Sequence, residues 1–135
     1  MPVPERVLVD TSAFLALMDA DDEFHERSAE LYDDLLEAGS ELWVSSYVLL
    51  ETIALGHRRL GFQPVRDLLD SIDLRATTVW VDGPLHTATR AEFVAREGRR
   101  LSFVDCSTLL VAKSLGATVF AFDSDFSLEG LIVVP

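Results

Sequence analysis

The chain has 135 residues, 49% of them hydrophobic, which is enough for one domain whose core folds without covalent staples. Its single cysteine, Cys106, excludes a disulfide framework, and 23 acidic against 11 basic residues give a formal charge of −12, which argues against broad non-specific binding to a polyanion. The beginning of the chain lacks the basic-then-apolar pattern of an export signal, and no apolar run approaches the roughly 20 residues that span a bilayer, so a cytoplasmic protein without membrane attachment is expected.

Val7-Leu8-Val9 is a short, β-branched run that stops at Asp10, Thr11 and Ser12. It reads as a buried strand ending in an acid, and in open parallel α/β sheets the ligand crevice lies beyond the carboxyl ends of the strands. Asp, Thr and Ser are also good helix caps, so capping alone would account for Asp10. Ala13 to Met18 continue as a short helix. In the acidic cluster that follows, Asp19, Asp21, Glu23 and Glu30 fall at positions 1, 3, 5 and 12 of a calcium loop, but Phe24 stands where that loop needs glycine, so the calcium reading fails.

His25 to Leu36 form an amphipathic helix, with Ala29, Leu31 and Leu35 at helical spacing and acids outside, and Gly39 closes it. Leu42-Trp43-Val44 is a second strand, and Ser45-Ser46 cap a helix running from Tyr47 to Arg59. On that helix Glu51 shares a face with Tyr47, Val48 and Leu55. An ionised carboxylate on an apolar stripe needs a cation, a hydrogen-bond network or a raised pKa; pairing with Arg58 or Arg59 is the purely structural solution.

Val65 to Leu74 give a further amphipathic segment, Thr77 to Val81 a third strand, and Pro84 starts a helix that runs through Ala95 to end near Gly98. His25, His57 and His86 are too scattered for a zinc site. In Ser102-Phe103-Val104-Asp105 the serine and the acid have capping-box spacing at the start of a helix that ends at Gly116. The positive end of a helix favours an ionised carboxylate, which a hard divalent cation also requires. Arg99 and Arg100, just before the cap, are placed to hold a phosphate at its rim. Ala117 to Phe122 then repeat the first pattern, an apolar strand that stops at Asp123. Asp125 either caps a short helical turn or touches metal, and Leu131 to Val134 form a last, edge strand.

Strands alternating with helices predict a mostly parallel central sheet flanked by helices, the three-layer α/β class. Such a sheet gathers distant residues at its strand ends, and four carboxylates brought together there repel one another unless cations hold them. Mg²⁺ or Mn²⁺ suits an oxygen-rich site and would support in-line hydrolysis of a phosphodiester.

Val-Leu-Val-Asp10-Thr11-Ser12-Ala-Phe, Glu51-Thr52-Ile-Ala-Leu, Ser102-Phe-Val-Asp105 and Phe-Asp123-Ser-Asp125-Phe126, in that order, resemble PIN-domain ribonucleases of the VapC toxin type. The resemblance covers essentially the whole chain, residues 1–135 as one PIN domain. It implies a Mg²⁺- or Mn²⁺-dependent endoribonuclease acting on tRNA, rRNA or mRNA, a homodimer, and a cognate antitoxin whose tail blocks the acidic pocket. Carried over by position, Asp10, Glu51, Asp105 and Asp123 match the catalytic, metal-binding acids, Asp125 a secondary ligand, and Thr11 or Ser12 the hydroxyl beside the first acid. The acidity of the chain sits awkwardly with an RNA substrate. The competing readings are a non-catalytic PIN-like module that binds RNA or protein, and a phosphotransfer domain; the latter lacks a second Asp two residues after Asp10.

Overall fold

A computed structural model describes residues 3–122, 125–128 and 133–134. In chain order the elements are β1 (Arg6–Val9), α1 (Thr11–Met18), α2 (His25–Glu37), β2 (Glu41–Ser45), α3 (Ser46–Leu60), α4 (Phe62–Arg75), β3 (Ala76–Val79), α5 (Gly83–Ala95), α6 (Phe103–Leu115), β4 (Thr118–Phe120), α7 (Asp125–Leu128) and β5 (Val133–Val134). The sheet has the order β3-β2-β1-β4-β5, and every neighbouring pair is parallel.

A parallel sheet survives only when both faces are covered, and the alternation along β1 and β4 shows how that is met here. Val7, Val9 and Phe120 face one core with Leu42 of β2 and with Ala13, Phe14, Leu35, Val48 and Ile72, drawn from α1 to α4. Leu8 and Val119 face the other with Leu101 from the α5–α6 connection and with Cys106, Leu109, Ala112 and Phe126, drawn from α6 and α7. The result is the expected α/β class, a central parallel sheet between two helical layers. Cys106 is fully buried, as its apolar surroundings imply.

One boundary differs from the sequence reading in an instructive way. β3 ends at Val79, not Val81, because its only neighbour, β2, runs out at Ser45 opposite Val79, where α3 begins. Past that point Trp80 lies 74% exposed. The Val81 amide turns instead to the Ser46 hydroxyl, which accepts its hydrogen bond at 2.9 Å. The last strand is an edge, as expected, with Val133 and Val134 beside Val119 and Phe120; Leu131 and Ile132 lie outside the described residues.

What matters for function is the strand order. The chain moves from β1 outward through β2 to β3, then returns to place β4 on the opposite side of β1. The connections therefore leave the carboxyl ends of β1 and β4 in opposite directions, opening a crevice between them, the place where open α/β sheets bind ligands. Asp10 follows β1 directly at that point.

Candidate functional site

Asp10 is 4% exposed, although it is an acid. Its backbone N–H extends the sheet ladder to the Phe120 carbonyl at 3.0 Å, and its side chain caps α1. One carboxylate oxygen, Oδ2, accepts from the Ser12 amide at 3.2 Å and from the Ser12 hydroxyl at 2.9 Å. The other, Oδ1, is buried without a hydrogen-bond partner. Capping and function therefore divide the carboxylate between them: one oxygen supports the helix and the other is left for the site.

Leaving half of a buried carboxylate unsatisfied is costly, and the cost appears in its proton affinity. Burial first, then the negative charge of Asp105, push the Asp10 pKa from its ordinary 3.8 up to about 6, against the lowering effect of the Ser12 and Thr11 bonds. Asp105 itself stands in the first turn of α6, half-buried. The capping box anticipated from the sequence is complete: Ser102 Oγ accepts from the Asp105 amide at 3.1 Å, and Asp105 Oδ2 accepts from the Ser102 amide at 2.9 Å. As at Asp10, backbone amide donors orient the carboxylate from behind.

The Ser12 hydroxyl does more than the sequence suggested. While donating to Asp10 it also accepts from the Phe122 amide at 3.1 Å, so it ties the start of α1 to the segment leaving β4. It is a positioning group for the carboxylate. The Thr11 hydroxyl, by contrast, is buried and unpartnered, as are those of Thr52, beside Glu51, and Thr108, three residues after Asp105.

Glu51 lies half-buried on α3, which packs against α1 and α6. It makes no ion pair with Arg58 or Arg59, both of which are exposed, so the purely structural solution for its charge is not realised. Asp123 lies outside the described residues. Among the described residues no group of three His, Cys, Asp or Glu side chains is gathered as a metal cage; Asp10 and Asp105 are close enough for the charge of one to raise the proton affinity of the other. Asp125 begins the one-turn helix α7, whose Phe126 is fully buried in the second core.

The PIN domain family profile matches residues 7–128. This chain belongs to the PIN domain family. Among solved structures it is similar to VapC20 of Mycobacterium tuberculosis, described as a Sarcin-Ricin loop cleaving toxin, with 29% identity over 93% of this chain and 96% of that one and a TM-score of 0.82. It shares the fold of VapBC2 from Rickettsia felis, solved bound to a promoter DNA fragment (16% identity, 96% and 97% covered, TM-score 0.70), and of PAE2754 from Pyrobaculum aerophilum (24% identity, 96% and 83% covered, TM-score 0.62). No curated protein matches the chain at a significant level. The VapC-type resemblance of the four sequence motifs is thus matched at the level of the whole fold.

The PIN crevice fits a hard divalent cation on the chemistry of its donors. An unpartnered buried carboxylate oxygen beside a second carboxylate is an oxygen site short of positive charge. Mg²⁺ is commonly held by only one or two carboxylates, with water and substrate phosphate completing its shell, so the chemistry of these donors suits it.

Arg99 and Arg100 lie exposed in the α5–α6 connection, just before the Ser102 cap. With Ala95, Arg96 and Glu97 they line an open hollow of about 440 Å³. Arg99 pairs with Glu97 at 2.5 Å, and Arg96 with Glu92 at 2.9 Å. Sequence reasoning missed an aromatic group on the same flank. Tyr47, His86, Phe93 and Phe103 meet there from α3, α5 and α6. No single helix marks it, because the rings come from three helices, with His86 and Phe93 sharing α5.

Proposed function

We propose that this PIN domain is a metal-dependent endoribonuclease and the toxin of a type II toxin–antitoxin pair. The observation that carries the reading is the unpartnered Oδ1 of Asp10 beside Asp105, at the point where β1 and β4 diverge. Asp10 and Asp105 would hold Mg²⁺ or Mn²⁺, with Glu51 and Asp123 completing the acidic quartet and Asp125 a secondary ligand. When bound, the cation supplies a water of lowered pKa and neutralises charge developing on a phosphodiester oxygen.

The chain's own residues do the positioning. Ser12 and the Ser102 amide fix the carboxylates of Asp10 and Asp105, so that neither has to reorganise when the substrate arrives. Thr11 offers a buried hydroxyl next to Asp10. Arg99 and Arg100 contact the RNA backbone on the α6 flank, a local basic strip in an otherwise acidic chain. A loop of rRNA is the first substrate to try, given the 29% identity to a toxin that cleaves the Sarcin-Ricin loop.

Solved neighbours that are toxin–antitoxin complexes support a cognate antitoxin as partner. Leu50 on α3, and Phe62 and Leu74 on α4, are exposed apolar side chains that support a homodimer. No helix among the described residues is long and apolar enough to cross a membrane.

The decisive experiment is cleavage of a mixed tRNA and rRNA pool with Mn²⁺, Mg²⁺ or EDTA, beside Asp105→Asn. Metal-dependent cuts that disappear in the variant are expected. Cuts that persist in EDTA, or in folded Asp105→Asn, would overturn the assignment. Metal and RNA binding without turnover would favour a non-catalytic module.

A further inference from the structure

Three aromatic rings converge from α3, α5 and α6, two of them within one helical turn, along the chain, of Glu51 and Asp105. Phe103 opens α6, two residues before Asp105. Tyr47 lies one helical turn before Glu51 on α3, so the two share a face. His86 reaches in from α5, with its ring centroid 5.4 Å from that of Phe103 and 5.9 Å from that of Tyr47, nearly perpendicular to the latter. Phe93 backs Phe103 at 5.6 Å.

The rings are half-buried at Tyr47 and Phe103, and His86 is exposed. A hydrogen bond joins the Tyr47 hydroxyl to His86 Nδ1 and links the exposed histidine to α3. An imidazole at the water boundary adds little to a hydrophobic core. It does present an aromatic, partly polar ring to solvent beside Tyr47 and Phe103.

Charge indicates what that surface is for. At −12, the chain cannot draw much RNA affinity from long-range attraction, which in nucleic-acid binding usually supplies most of the non-specific term. Stacking of an unpaired base on an aromatic ring is independent of charge and is worth about ten- to a hundredfold in affinity per base. Sequence-selective proteins use such rings on splayed, single-stranded bases.

We propose that Tyr47, His86 and Phe103 form a stacking subsite that seats one unpaired nucleobase of the RNA next to the phosphate held at Asp10 and Asp105. The subsite rests on the nuclease reading for its location, but base stacking can be measured without turnover. Arg99 and Arg100 then take the backbone on the same flank, and the seated base sets the position of the cut.

The test uses the full chain and two 12-nucleotide single-stranded RNAs, one intact and one with the same backbone but a run of abasic positions. Wild type is expected to bind the intact strand at least tenfold more tightly, with a preference that persists at high salt. His86→Ala and Phe103→Leu should bind both strands alike, while Tyr47→Phe, which keeps the ring but releases His86, should fall between. Circular dichroism separates loss of the subsite from loss of the fold, and the intact-to-abasic ratio is unaffected by a merely structural role. Equal binding of the two strands by wild type, or an undiminished ratio in folded His86→Ala and Phe103→Leu, would overturn the subsite. If the preference is present but no RNA is cut with any metal, the subsite stands and the nuclease reading falls. If RNA is cut without the preference, the reverse holds.

Discussion

Asp10 and Asp105, from opposite halves of the chain, share one electrostatic environment at the carboxyl end of β1, and the charge of Asp105 adds to burial in raising the proton affinity of Asp10. The rise from 3.8 to about 6 corresponds to about 3 kcal/mol between the two protonation states. Because the folded state holds this proton more tightly than the unfolded chain, the associated stability is fully present below pH 4. It is lost as pH rises through about 6. Asp10→Asn removes that loss. Denaturant unfolding in EDTA should therefore find the variant more stable at pH 7 by up to about 3 kcal/mol, with the gain vanishing near pH 3.5. A gain independent of pH would contradict the proposed origin.

The same repulsion should make the fold responsive to metal. A cation that binds only the folded state stabilises it by about 2.7 kcal/mol at a hundred times its Kd. Mn²⁺ should raise the melting temperature of wild type by several degrees at pH 7, and EDTA should reverse the effect. The rise should shrink at pH 5, where Asp10 is largely protonated. Asp10→Asn and Asp105→Asn should each lose most of it in differential scanning calorimetry.

The two serines that hold the acids make different predictions. Ser102→Ala removes the acceptor for the Asp105 amide and should cost about 1 kcal/mol, as the loss of a helix cap does. Ser12→Ala leaves Asp10 Oδ2 and the Phe122 amide each short of a partner, so its cost should be larger, about 1–3 kcal/mol. Because the Ser12 hydroxyl bond lowers the Asp10 pKa, its loss should shift the pH midpoint of the stability curve upward. A midpoint unchanged in folded Ser12→Ala would show that the hydroxyl does not tune the acid.

Gly56 marks where α3 comes close to α1 and α4. A Cβ there would meet Met18 Cε at 2.9 Å and Val65 Cγ2 at 3.1 Å. Gly56→Ala should be nearly neutral, because Met18 is flexible at its tip and alanine gains about 1 kcal/mol in helix propensity. Gly56→Leu should cost about 1–3 kcal/mol by overpacking, measurable as a lower urea midpoint with an unchanged slope.

Much of this molecule was legible in one dimension. Strands announced themselves as apolar runs, helices by period and caps, and Asp10 and Asp105 by standing where a strand stops and where a helix begins. Those signals are local: a buried parallel strand must be apolar along its whole length, and a cap must lie within three residues of the amides it satisfies.

What the sequence by itself determined is the set of elements and the presence of acids at their ends. Only the tertiary structure decided that β4 would return to the far side of β1, and so bring Phe122 onto Ser12 and Asp105 beside Asp10. It also decided that His86, unremarkable on its own helix, would meet Tyr47 and Phe103. The reason is physical. Burial, Coulomb repulsion and ring contact depend on distance through space, and residues far apart in the chain have no such distance until the sheet order sets it.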